Sequence, residues 1–300
     1  MVNVEFGAST KDMWVIEDVY PEEEAEKIVN AQKGKIFGVV SGIMKAFSKQ
    51  KGSISITGKE KRYEPFWHVQ GKSTFEYKRS TGYSFQVQPE VIGVKINGKE
   101  LKTQEGKPEI NFSGEDHCFE QYEKELIQSA VTGENKGLNF YLKSNKRKIK
   151  STSELTKSGS IVPIQHRASF LVSTLVKDIL KPIQADTILQ EKIEISQLDL
   201  YFRPVYTFEL TESDTKRTKI VEVDAVTGHV EKVNTWIKGI KDRLTTEATW
   251  FDVGTEIAGA IIPGAGVAVI GGKYLKDKRA EKKKFGKARR MQVAYAKNKK

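Results

Sequence analysis

The residues best suited to thiolate or imidazole chemistry are few in this chain: one cysteine and four histidines in 300 residues. Cys118 directly follows His117, and Glu115 and Asp116 precede both, a set that could supply a thiolate and its base. Neighbouring residues on a strand point to opposite faces, however, so His117 and Cys118 would not form the hydrogen-bonded pair that nucleophilic catalysis needs. His68, His166 and His229 fall in separate predicted elements, and no HExxH or comparable zinc spacing joins them. Glycine-rich phosphate loops are missing too. Gly264 and Gly266 lie inside an apolar run, and Gly271-Gly272-Lys273 lacks the Ser or Thr of a P-loop. The acidic groups at Glu22, Glu23 and Glu24 and at Glu115 and Asp116 read as solvated surface. The inventory predicts a non-enzymatic protein with no cofactor and no metal.

Charge is the stronger signal. The chain holds 50 Lys and Arg against 39 Asp and Glu, a formal net charge of +11. Residues 273–300 alone carry thirteen Lys or Arg against two acids, Asp277 and Glu281, so the remaining 272 residues are formally neutral. Such asymmetry describes a surface for anionic partners rather than a reaction. Lys282, Lys283, Lys284, Lys287, Arg289 and Arg290 are its densest part. Phosphates of a nucleic acid or the headgroups of an anionic membrane would both be attracted.

Immediately before it lies an uncharged run at 257–272, IAGAIIPGAGVAVIGG. As a helix its 16 residues would reach about 24 Å, short of the roughly 30 Å hydrocarbon core of a bilayer. Pro263 and Gly264 can turn it into a helical hairpin. Trp250 and Tyr274 flank it as interfacial aromatics would, and Ala260, Gly264, Ala268 and Gly272 put a small residue at every fourth position. Two placements follow for Ile261, Ile262, Val267 and their neighbours. In one, the hairpin dips into the cytoplasmic leaflet with the basic tail on the headgroups. In the other it packs within the protein, against a helix face formed by Gly34, Gly38 and Gly42.

The elements that must carry these features follow from periodicity. Pro21 and the three glutamates after it start a helix whose apolar positions from Ala25 to Phe47 predict about seven turns. Alternating runs at 53–57, 61–69, 73–77 and 83–87 predict separate antiparallel strands, with a turn at Ser80-Thr81-Gly82. Their aromatics, Tyr63, Phe66, Trp67, Phe75, Tyr77, Tyr83 and Phe85, suit the inner side of a half-buried sheet, or a base-stacking surface. Asn97-Gly98 signals a hairpin. Residues 120–129 predict a strand, 170–190 a second helix that Pro182 ends or kinks, 198–210 and 217–223 a hairpin, and 230–244 a closing helix.

Ala-Val-Thr-Gly occurs twice, at 130–133 and 225–228, each downstream of a helix and of an aromatic strand containing a proline, Pro65 or Pro204. The spacing suggests a domain duplication. Length alone favours two globular units. The division is 1–142 as a first α+β module, 143–160 as a Lys- and Ser-rich linker or exposed loop, 161–246 as a second module, and 247–300 as the Gly/Ala-rich hairpin with the basic tail. The fold class expected is α+β, two similar helix plus antiparallel-sheet modules followed by that hairpin and tail.

The second half carries a strand from Tyr201 to Leu210, containing Arg203-Pro204-Val205-Tyr206, and ends Val223-Asp224-Ala225-Val226-Thr227-Gly228-His229-Val230. Over about 168–233 it resembles the PepSY module, whose signature that ending matches. In it, Gly228 would supply the turn conformation while Asp224 or Thr227 caps exposed amides. The resemblance implies a small α+β binding or regulatory module, often a partner of peptidases and usually extracytoplasmic. This chain begins with acids and no apolar core of a signal peptide, and its single cysteine suits a reducing compartment. The combined expectation is a cytoplasmic binding or scaffold protein, peripheral at the inner membrane face through its C-terminal segment. Nucleic-acid binding by the tail, PepSY-like regulation of a protein partner, and self-association are the alternatives.

Overall fold

The computed structural model describes residues 2–7, 11–38, 53–104, 107–233, 250 and 267–269. Its framework is a strand of 33 residues, Ile54–Gln86. β-branched and aromatic residues at alternating positions give this stretch one buried face, with Trp67, Val69, Phe75 and Tyr77 each at most 3% exposed. It pairs antiparallel with Glu109–Ser129 on one side and with Thr187–Glu212 on the other. In chain order these three are β3, β6 and β9. Glu64 stands opposite Arg203 and Trp67 opposite Leu200 across the β3–β9 seam. Bulges at Ile56/Gly58, Gln70/Gly71 and Glu76/Tyr77 absorb register shifts along it.

The remaining strands line the flanks of this seam. β1 (Val2–Phe6) and β2 (Met13–Ile16) run parallel to β9, and β7 (Lys146–Ile149) pairs with β2. β8 (Ser160–Ile161) runs parallel to β3. β10 (Thr218–Asp224) and β11 (Val230–Val233) continue from β9 as antiparallel partners, and β12 (Val267–Val269) adds to β1 in parallel. Together they form one mixed sheet of ten strands. β4 (Gly93–Ile96) and β5 (Lys99–Lys102) make a separate hairpin on Asn97 and Gly98, both at positive φ as the sequence predicts.

Two helices cover one face. α1 (Glu22–Phe37) buries Ala25, Val29 and Ile36 against Tyr206, Phe208, Val221 and Val223. α2 (Ala168–Ile179) buries Leu171, Leu175 and Ile179 against Trp67, Val69, Ile193, Leu198 and Phe202. Tyr206 and Phe208 oppose Lys61 and Lys59, which share strand parity with Trp67 and Val69, so both helices lie on the same side. The placement is crossed with respect to the chain. α1 precedes β3 yet sits on β9 and β10, while α2 precedes β9 yet sits mainly on β3 and β6.

Several expectations are corrected here. Strand accounts for 54% of the chain, and one continuous sheet replaces the α+β layout of two modules plus a helical hairpin. Val267, Ala268 and Val269 are strand residues opposite Val2, Asn3 and Val4. β-branched residues here satisfy their backbone groups on an open sheet edge rather than within a helix. Trp250, expected at a membrane interface, is 2% exposed and belongs to the same core cluster as Val4. The seven-turn helix stops at Phe37, because Gly38 takes a left-handed φ of 76° and its N–H donates to the Lys35 carbonyl. No described atom lies within 4 Å of where a Cβ on Gly34 or Gly38 would be, so no backbone packs into that glycine face among the described residues. The strand runs straight through Ser80-Thr81-Gly82, held there by β6. Val230 opens a strand instead of a helix. The stretch 143–160, expected as a linker or exposed loop, contributes β7 and buries Ile149 and Leu155. Gly42, Ile261, Ile262, Gly264, Gly272, Tyr274 and the basic residues Lys282, Lys283, Lys284, Lys287, Arg289 and Arg290 lie outside the described residues.

Candidate cleft between two equivalent turns

Each Ala-Val-Thr-Gly segment closes its strand by the same hydrogen bonds. After β6, the Ser129 hydroxyl accepts from the amides of Val131 (3.2 Å) and Thr132 (3.1 Å). After β10, Asp224 Oδ1 accepts from the amides of Val226 and Thr227, both at 2.9 Å. Gly133 and Gly228 occupy left-handed φ of 77° and 70°, which leaves their N–H groups to donate to the carbonyls of Ser129 and Asp224. The sequence-based roles of Gly228, Asp224 and Thr227 thus match the geometry; Thr227 Oγ1 accepts from His229 N–H at 3.3 Å.

The surroundings of the turns correspond as well. The Ala130 amide donates to the Pro65 carbonyl at 2.9 Å, and the Ala225 amide donates to the Pro204 carbonyl at 3.1 Å. The Ala130 carbonyl accepts from Gln165 and His166, just before α2; the Ala225 carbonyl accepts from Val19 and Tyr20, just before α1. Each turn therefore clamps one central strand to the start of one helix.

Between the turns, on the face away from the helices, lies a cleft of about 700 Å³. Glu64, Phe66 and Arg203 form its floor, with Val131, Thr132 and Glu134 on one wall and Asp224, Thr227 and His229 on the other. Arg203 spans it. Its Nε and Nη2 donate to Glu64 Oε2 at 2.9 and 2.5 Å, and its Nη1 donates to Asp224 Oδ2 at 2.8 Å and to the Tyr141 hydroxyl at 2.9 Å. Tyr141, from a short 3-10 turn at Leu138–Lys143, also donates to Asp224 Oδ2. Glu222 stands further along the same face and accepts from Arg62 at 3.2 Å and Thr207 at 3.4 Å.

The electrostatics follow from enclosure. Burial opposes the charge of Arg203, but Glu64, Tyr141 and Asp224 together outweigh it and raise its pKa. Burial pushes the Tyr141 hydroxyl up to about 12, with the hydrogen bond to Asp224 adding to the rise and Arg203 opposing it. Glu222 is raised above the usual carboxylate range by burial first and then by the charge of Glu64. Two neighbouring acids, one of them raised by the charge of the other, make a place where an incoming positive charge would be stabilised.

The structure does not unite the candidate chemical residues. His117 hydrogen-bonds Glu76 at 2.8 Å on one face of β6, whereas Cys118 lies beside Tyr77 on the other. His68 Nε2 lies 2.6 Å from Glu125 and His166 lies against Gly133, while His229 alone of the four lines the cleft. Among the described residues no group of three His, Cys, Asp or Glu could hold a metal ion. Glu64, Tyr141, Arg203 and Glu222 were missed by sequence reasoning, although Glu64 and Arg203 directly precede the two prolines of the repeated pattern. That position, one residue before Pro65 and Pro204, was the available signal.

No family model, curated protein or solved structure matches this chain. Among the described residues no helix is long and apolar enough to cross a membrane.

Proposed function

We propose that this chain is a non-enzymatic binding protein that takes a ligand in the cleft over Glu64 and Arg203. One observation carries the reading: two turns of the same construction, each braced by a proline carbonyl and a helix start, wall a single cleft of about 700 Å³ at the centre of the sheet. That volume is within the range of small-molecule sites, and walls fixed by backbone hydrogen bonds are preorganised. An internal duplication is part of the same proposal, supported by the matching hydrogen bonds of the Ser129 and Asp224 turns. Thermal-shift measurements with panels of cationic, anionic and neutral small molecules test it, comparing the native chain with Thr132→Trp, which fills the exposed rim. Stabilisation of the native chain that disappears in the variant is the expected result. No shift with any panel, or equal shifts in both proteins, overturns the reading.

A second reading concerns the C-terminal segment. It rests on the +11 net charge of residues 273–300, which begin four residues after β12 ends at the sheet edge. In this reading the segment draws the protein to an anionic surface at the cytoplasmic face of a membrane, with DNA or RNA as the alternative polyanion. Co-sedimentation with phosphatidylserine vesicles, and gel shifts with duplex DNA, separate the two. Deletion of 273–300 abolishes whichever interaction exists, and either should weaken steeply with salt. A full chain that ignores both polyanions ends this reading.

A further inference from the structure

The donors and acceptors in the cleft are not balanced. Arg203 commits four of its five N–H donors to Glu64, Asp224 and Tyr141, and Lys136 is held by Glu134 at 2.7 Å. Asp224 has one oxygen on two turn amides and the other on Arg203 and Tyr141. Glu64 uses only Oε2 and Glu222 only Oε1, so Oε1 of Glu64 and Oε2 of Glu222 accept no hydrogen bond among the described residues. Across the lining, five acids (Glu64, Glu134, Glu222, Asp224, Glu231) stand against three Lys or Arg side chains (Lys136, Arg203, Lys232) and one histidine, His229. Side-chain exposure is 17% at Glu222 and 25% at Glu64, so both carboxyl groups are partly enclosed. Pro65, Val131 and Val205 add apolar surface to the same lining.

An anion would meet a net negative lining whose arginine is already committed. A neutral ligand would leave two partly enclosed carboxylate oxygens without a donor, at a desolvation cost. A positively charged donor on an aliphatic stem answers both requirements, since its head neutralises the acids and its stem covers the apolar surface.

Resting on the binding-protein reading above, we propose that the cleft is a site for an alkylammonium group, with Glu222 and Glu64 receiving the ammonium and Val131 and Val205 contacting the methylene stem. The group can come from a lysine side chain of a peptide or from a free polyamine, and the test carries one arm for each.

Isothermal titration calorimetry of the full-length chain against spermidine, and separately against acetyl-Ala-Lys-Ala-amide, reads the two sources. Binding of at least one, lost on replacing lysine by norleucine in the peptide or spermidine by a neutral diol of equal length, is expected. Glu222→Gln keeps an acceptor for Arg62 and removes the charge, so affinity should fall tenfold or more with the circular dichroism spectrum unchanged. Affinity in the native chain should also rise with pH as Glu222 ionises. Should Glu222→Gln fail to fold, Thr132→Trp at the rim replaces it and must abolish binding. The cation inference is overturned if neither probe binds or if Glu222→Gln binds as tightly as the native chain. If anionic or neutral compounds bind and Thr132→Trp removes them, the binding-protein reading stands while the cation inference fails.

Discussion

Glu64 and Arg203 face each other across the β3–β9 seam, 139 positions apart in the chain, and a half-turn about them exchanges Pro65 with Pro204. Register makes this explicit, since Tyr63 opposes Pro204 and Pro65 opposes Phe202. Both prolines offer their carbonyls to the alanine of a turn. The ion pair is thus the centre of an arrangement that brings the two turns to opposite sides of one cleft.

Removing Arg203 should therefore cost far more than a surface ion pair. Arg203→Leu leaves Glu64 and Asp224 without their counter-charge, with side chains only 25% and 9% exposed. Loss of a partner in such a setting costs about 3 kcal/mol. Urea titration measures it, and Glu64→Gln in the Arg203→Leu background should cost less than Glu64→Gln alone.

The two turns should respond in the same direction to substitution. Gly133→Ala and Gly228→Ala each force a Cβ onto a left-handed residue, at roughly 1–2 kcal/mol. At Gly133 the added atom would also come within 2.9 Å of His166, and at Gly228 within 3.2 Å of Tyr20. Both should lower the urea midpoint, Gly133→Ala by the larger amount because of the closer contact. A silent change at one turn alone would break the equivalence.

At Gly71 a side chain of α2 and the β9 backbone together fill the space a Cβ would need. A Cβ there would stand 2.8 Å from Leu175 Cδ2 and 2.9 Å from the Glu194 carbonyl oxygen. The leucine tip can move, but the backbone oxygen cannot move without shifting the strand. Gly71→Val should destabilise by about 1–3 kcal/mol through overpacking. Leu175→Ala introduced beside it should recover only part of the loss, which thermal denaturation would show.

Alkaline pH should weaken the fold through buried phenols. Burial raises Tyr141 and Tyr201 to about 12, with Asp199 adding to the effect at Tyr201. In the unfolded chain a phenol ionises near 10. The folded state then holds the proton that the unfolded state loses, so this stability is intact below pH 10 and declines as pH rises toward 12. Tyr201→Phe should flatten the fall in denaturation midpoint across that window, and an unchanged slope would refute the assignment.

Much of the local structure was legible in the sequence because it is written in local rules. Pro21 with three glutamates, Asn97-Gly98, Pro182 and the two Val-Thr-Gly turns each produced the feature their chemistry predicts. Long-range pairing was not. Nothing local distinguishes the turn signal Ser80-Thr81-Gly82 from a strand interior, and distant partners, β6 and the Asp186 carboxylate that accepts from the Ser80 amide, hold it straight. The small apolar residues Val267, Ala268 and Val269 suit a helix as well as a strand, and β1 at the opposite end of the chain decides between them. The cleft was partly within reach. Its turns were read from their repeated letters, but Glu64 and Arg203 look like any strand charges until the seam sets them face to face.

Crossed helices and a seam between distant strands also dictate how this protein is made. β3 leaves the ribosome long before β9 exists, and at about 5–20 residues per second the 139 positions separating Glu64 from Arg203 take roughly 7 to 28 seconds to synthesise. Until β9 emerges Phe66 and Trp67, each at most 1% exposed in the finished sheet, have a partner strand, β6, on one side only. The nascent first half accordingly keeps one edge of β3 open until β9 has been translated, and only then can the seam that carries Glu64 and Arg203 close.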